Sequence, residues 1–157
     1  MMLHNRLSHP SVFHLAIEGP YGPAESAGIL EYFEELIDDN SLPPIVILDA
    51  RKIDGFSVPM AVVKRHAKWA SSLNLPPTWY LCGLLGENQK IIGAALQIFS
   101  LAVRSKLTAK AFSEPQKLGL FVRSTCDSLQ IPTPDYWMFQ ESGKEPDTPS
   151  TSRMLNP

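Results

Sequence analysis

The chain has 157 residues, 44% of them apolar, and a net charge of −2. That size and composition suit one globular domain with one core. They exclude a membrane-spanning helix, because Arg104 and Lys106 close the longest apolar stretch well short of about 18 residues, and they argue against a nucleic-acid binder, which would be basic with interleaved aromatics.

In chain order, residues 2–8 are a candidate edge strand that pairs across the His9-Pro10 turn with a strand over 11–18. Alternation in the second strand puts Val12, His14 and Ala16 on one face and Phe13, Leu15 and Ile17 on the other. Gly19-Pro20 and Gly22-Pro23 are expected to end it. Residues 24–39 then read as an amphipathic helix, with Ala27, Leu30, Phe33 and Ile37 inward and Glu31, Glu34, Glu35, Asp38 and Asp39 on its acidic outer side. Asp38 and Asp39 oppose the helix dipole at that end.

After Pro43-Pro44, the run Ile45-Val46-Ile47-Leu48 reads as a strand buried on both faces, the centre of a parallel sheet covered by helices. A helix over 57–73 follows, with Ser57 as its N-cap and Pro59 in its first turn. A strand over 78–85, an apolar helix over 91–103, a strand over 108–112 and a helix over 114–129 complete the alternation. The expected fold class is α/β, a mixed, mostly parallel sheet of four to five strands with four helices packed against it. Residues 1–130 form the domain. Residues 131–157 form a tail rich in Pro, Ser, Thr and charge that is expected to be largely disordered, with Tyr136-Trp137-Met138-Phe139 either folded back on the domain or touching a partner.

The charge is unevenly spread: residues 1–50 hold eight acids against Arg6, and residues 51–123 hold eleven Lys and Arg against three acids. Such asymmetry either steers an interaction or is matched within the fold. Around Gly83 to Lys90 the sequence sits where phosphate-binding loops occur but fits neither glycine-rich pattern, so a plain connection is expected. His4, His9, His14 and His66 lack metal-ligand spacing, and no metal or cofactor is expected. Cys82 reads as a buried small hydrophobe, and no nucleophile elbow is present, so the chain is not expected to be an enzyme. The start lacks the apolar block of a signal peptide, and with two unpaired-looking cysteines and no Asn-x-Ser/Thr site the expected compartment is the cytoplasm.

The segment from Asp49 to Pro59, reading Asp-Ala-Arg-Lys-Ile-Asp-Gly-Phe-Ser-Val-Pro, gathers charge and a glycine at the carboxyl end of the buried strand. Open α/β sheets place their binding crevice there; alternatively, Asp49 and Arg51 simply pair and cap the turn. With the element order, and with Ala111-Phe112-Ser113-Glu114 opening the last helix, this segment resembles the STAS superfamily over residues 2–130. The likeness is to the branch related to sporulation anti-sigma-factor antagonists. The resemblance implies a protein-interaction or regulatory module in bacterial signalling, working by binding. It also makes Ser57 the candidate phosphorylation site, although the paired serines and following glycine of the regulatory motif are replaced by Gly55-Phe56-Ser57-Val58-Pro59.

The expected contact surface is the 51–59 loop and the helix after it, with Asp49, Arg51, Asp54, Phe56, Met60, Lys64 and Lys68 as its residues and another protein as partner. The alternative is a binder of a small apolar or anionic ligand such as a lipid, motivated by the apolar helix over 91–103. A ligand binder predicts an apolar cavity lined from Phe13, Ile91, Leu96 and Phe99, whereas an interaction module predicts an exposed patch around Phe56 and Met60. A homodimer through an exposed helix face fits either reading.

Overall fold

The structure is a computed structural model that describes residues 1–73, 79–87, 89–103, 107–140, 144–145 and, by backbone alone, 151–154. Its elements run β1 (Met2–Ser8), β2 (Val12–Tyr21), α1 (Pro23–Asp38), β3 (Ile45–Phe56), α2 (Met60–Ser72), β4 (Tyr80–Leu84), α3 (Lys90–Val103), β5 (Thr108–Phe112), α4 (Pro115–Leu129), a 3-10 turn (Trp137–Phe139) and β6 (Thr151–Met154). The strands form one sheet in the order β5-β4-β3-β2-β1-β6. Neighbours from β2 to β5 are parallel, and β1 is antiparallel to both β2 and β6. This is the expected mixed, mostly parallel α/β architecture with four helices, extended by the edge strand β6.

Period-two alternation sorts the core. Val12, Ile45, Ile47, Cys82 and Leu84 pack against Leu118, Val122 and Cys126 of α4 and against Met138 and Phe139. On the other face Phe13, Leu15, Ile17 and Val46 pack against Ile29 of α1. The small buried residues Ala67 and Ala70 of α2 cluster with Val103 of α3. Fully buried residues such as Leu15, Ile45, Ile47 and Leu118 each contribute about 1.5–3 kcal/mol of transfer free energy, so the strand faces and the inner face of α4 stabilise the fold together.

Three local expectations are corrected. First, β2 does not stop at Gly19-Pro20. Gly19 takes φ 99°, and shifts in the β2–β3 register at Ala16/Glu18 and Gly19/Pro20 absorb the proline, so pairing continues to Tyr21↔Phe56. Residues 51–56, expected as a loop, are therefore the end of β3, and only Ser57–Pro59 lies between strand and helix. Second, Ser57 does not cap α2. Its N-cap is Pro59, itself extended at ψ 149°, and a residue preceding proline is pushed out of the helical region, so Val58 cannot open a helix. Third, the inward face of α1 starts differently from the expectation: Leu30, Phe33 and Ile37 face inward as expected, but Ala27 is exposed and Ser26 and Ile29 are the buried residues. Ile29 packs on the sheet and, with Leu30, Phe33 and Ile37, lines a cleft described below.

The aromatic cluster of the tail folds back on the domain, with Met138 and Phe139 in the α4-side core. Gly119 makes that possible, since a Cβ there would overlap the Met138 carbonyl oxygen. In place of the disorder expected past residue 140, Thr151–Met154 pairs with β1; the open edge of β1 offers unpaired backbone groups to a four-residue strand. Residues 141–143, 146–150 and 155–157 of the tail lie outside the described residues.

Candidate functional site

The two faces of the sheet carry two different features. On the α4 face, alternation along β3 places Asp49 and Arg51 in line with Ile45 and Ile47, beside His14 of β2. His14 is 0% exposed and Asp49 4% exposed. Arg51 grips the Asp49 carboxylate with two guanidinium donors, Nε to Oδ1 at 2.9 Å and Nη2 to Oδ2 at 2.7 Å, and its backbone N–H donates to Oδ1 at 3.2 Å. On the other side His14 Nε2 lies 3.3 Å from Asp49 Oδ2, and His14 Nδ1 lies 2.6 Å from the Tyr136 hydroxyl.

Protonation follows from these partners. Burial holds His14 below the usual imidazole range, so the neutral ring is the resting form. A carboxylate can only accept, so Nε2–H donates to Asp49 and Nδ1 accepts from Tyr136. Burial alone would raise the Asp49 carboxyl, but the hydrogen bonds from Arg51 and His14, with the charge of Arg51, outweigh it and hold Asp49 well below the usual carboxylate range. Asp49 in turn raises the Arg51 guanidinium further. Burial pushes the Tyr136 hydroxyl up to about 12. Tyr136 is therefore not primed as a nucleophile; the chain Tyr136–His14–Asp49–Arg51 ties the returning tail to the sheet.

Arg51 also reaches Glu145, at 3.3 Å from Nη1 and 3.4 Å from Nη2, and Glu145 accepts from Arg6 Nη2 at 2.8 Å. A cavity of about 160 Å³ adjoins these groups, lined among others by His4, Arg6, Arg51 and Lys52. His4 Nε2 lies 3.0 Å from Glu18 Oε2 at its rim.

The opposite face holds a larger, apolar cleft of about 240 Å³ between α1 on one side and α2 and α3 on the other. Leu30, Phe33 and Ile37 line it from α1, Val63 and Trp69 from α2, Leu96 and Phe99 from α3, and Val46 and Leu48 form its floor on β3. Two polar bonds cross between the helices. Ser26 Oγ lies 3.1 Å from His66 Nδ1, and Trp69 Nε1 donates to Glu34 Oε1 at 2.9 Å. Burial, and then the charge of Arg65, lower the His66 imidazole, which again favours the neutral ring.

No family model, curated protein or solved structure matches this chain.

The residues singled out from sequence fall into separate places. Asp49 and Arg51 meet in the polar chain. Phe56 stacks on Tyr21, centroids 5.7 Å apart and planes 3° from parallel, and lines the apolar cleft. Met60 is half-buried against Val58 and Val63. The exposed patch expected at Phe56 and Met60 is thus largely turned inward. Asp54 and Ser57 are exposed at the end of β3 and just after it. The Ser57 N–H donates to the Tyr21 carbonyl, which leaves Ser57 three residues before α2 and away from its N-terminal amides. Lys64 and Lys68 are exposed with Arg65 on the outer side of α2.

The cavity lining expected from sequence is met by Leu96 and Phe99. Phe13 packs in the sheet core, and Ile91 is 64% exposed. In the loop after β4, Gln89 accepts from the Gly86 N–H at 2.8 Å and donates to the Ala50 and Ile53 carbonyls, so this loop is stitched to β3. Burial pushes the Cys82 thiol up to about 12. Among the described residues no group of His, Cys, Asp or Glu could hold a metal ion, and no helix is long and apolar enough to cross a membrane.

Sequence reasoning missed Arg6, Tyr136 and Glu145 as one group. Its available signal was His14, a lone imidazole in an otherwise apolar strand, which needs polar partners wherever it is buried.

Proposed function

We propose that the chain is a non-catalytic, STAS-like domain that binds a small apolar ligand in the cleft between α1 and α2–α3. One observation carries this reading: about 240 Å³ of space with an almost wholly apolar lining lies against the sheet, where a packed interaction module would fill it with side chains. Apolar cavities of about 150 Å³ hold benzene, so by proportion this one takes a ligand of roughly ten non-hydrogen atoms. Few polar groups reach the space, so burial of ligand surface would supply the affinity and Ser26 and His66 the orientation. The STAS-like assignment rests on the element order and the Asp49–Gly55 segment. The non-catalytic reading is supported by a thiol and a phenol that burial raises to about 12.

The test is titration with naphthalene, an apolar fluorophore of the size the cleft admits, with a decanol competition, on the native protein and on Leu30→Trp. Saturable, competed binding that the larger side chain abolishes is expected. Absence of saturable binding in a folded native protein refutes the ligand reading.

The exposed Lys64, Arg65 and Lys68 favour a second reading, in which α2 docks an acidic partner protein. Salt-sensitive capture of one defined partner that Lys64→Glu with Lys68→Glu abolishes, with fluorophore binding intact, would establish that role.

A further inference from the structure

The apolar cleft leaves the arginines on the other face unexplained. Arg6 comes from β1 and Arg51 from β3, and they converge across β2 on a single carboxylate, that of Glu145. The Arg6 side chain is only 10% exposed, so its charge requires an anionic partner. Arg51 is already satisfied by Asp49 through its two short bonds, and its contacts to Glu145 are the long ones. It therefore adds field and spare donors to a site whose principal contact is Arg6. Guanidinium forks of this kind suit planar carboxylates and phosphate oxygens. Lys52 lines the same cavity, whose two other carboxylates, Asp49 and Glu18, are engaged by Arg51 and His4, and which keeps about 160 Å³ of room beside the bound Glu145. Glu145 itself is 33% exposed, so its place is reachable from solvent.

The geometry points to an oxyanion site formed by Arg6 and Arg51 that Glu145 of the same chain occupies as an internal ligand, and that a free small carboxylate or phosphate enters in its place. Glu145 is tethered, so it competes at an effective concentration on the order of millimolar, and a free anion must reach that range to displace it. The paired strand β6 begins six residues after Glu145, so exchange at the site loosens the anchoring of β6 on β1. The state of the tail edge then reports the concentration of the anion.

The experiment compares the native chain with Glu145→Gln and with Glu145→Gln carrying Arg6→Gln. Each is titrated with inorganic phosphate and with acetate at constant ionic strength in chloride, and followed by calorimetry and by amide exchange over residues 2–5 and 151–154. Removing the internal competitor is expected to lower the half-saturating phosphate concentration by about tenfold or more. The double variant is expected to lose the response, and the native protein to lose protection in β6 at tens of millimolar phosphate. A stronger response to acetate than to phosphate would assign the site to planar carboxylates, and the reverse to phosphoryl groups. A folded Glu145→Gln chain that responds no more to either anion than to chloride overturns the proposal. If that variant does not fold, the native exchange measurement decides alone, and unchanged protection of β6 in phosphate overturns it.

Discussion

Lowering the pH should weaken this fold in a window set by His14. An unfolded histidine titrates near 6.5, whereas burial holds His14 below that value in the fold. Between those two values the unfolded chain binds more protons, so stability is fully present above about pH 6.5 and falls as pH drops toward the folded value. From about pH 7.5 to about pH 5.5 the unfolded imidazole gains about 1.4 kcal/mol of protonation free energy, the upper limit of what His14 can take from the fold. His14→Asn removes this dependence. At about pH 7.5 it also costs about 2–4 kcal/mol, through two lost hydrogen bonds and the buried groups left short of partners.

The assay is urea unfolding followed by tryptophan fluorescence at three pH values, with the pH-dependent drop compared between the two proteins. His66 is lowered in the same direction by burial, but it is present in both and cancels in the difference. Asp49, held low, acts in a separate window below about pH 4, where its stabilising ionisation is lost. If His14→Asn retains the full drop between about pH 7.5 and about pH 5.5, the neutral buried imidazole deduced from the geometry is wrong.

Asp49→Asn leaves Arg51 facing a neutral amide and should cost about 3 kcal/mol or more at neutral pH, read by urea midpoint; a near-silent variant would mean that the pair adds little beyond its desolvation. Gly119→Ala drives a methyl group into the Met138 carbonyl and should cost about 1–3 kcal/mol, with a rise in dye binding as Met138 and Phe139 leave the core. A native melting temperature in that variant would place the 3-10 turn elsewhere. Cys82 and Cys126 are both fully buried with raised thiols, so neither should react with a thiol-specific disulfide reagent until urea unfolds the chain. Rapid native labelling of either residue would show that its strand or helix opens readily.

Much of the scaffold was legible because its signals are local. The alternation from Val12 to Ile17, the unbroken Ile45–Leu48 run and the turn residues between elements place four helices and five strands close to where they fold. What escaped depends on residues distant in sequence. Tyr136 meets His14 from 122 positions away, and Glu145 meets Arg51 from 94. Neither the spacing nor the composition of the tail marks those partners. The prolongation of β3 escaped because bulges at Ala16/Glu18 and Gly19/Pro20 let a strand pass residues that usually end one. The Ser57 cap failed for a readable reason, since Pro59 restricts the residue before it. The cleft was half legible: Leu30, Phe33 and Ile37 were expected inward on α1 and Leu96 and Phe99 on its wall, but Phe13 packs in the sheet core and Ile91 faces solvent.

The alternation along β3 has a consequence for how this chain can change over generations. Val46 and Leu48 line the apolar space while Asp49 and Arg51, one step out of phase with them, serve the opposite face. Deleting or inserting one residue in that strand would turn the carboxylate toward the oily cleft and leave a leucine against His14. Both faces would be lost in a single event. Length variation is therefore barred from residues 45–49, ahead of the bulge opposite Ile17, where only substitutions that respect the parity of the strand can accumulate.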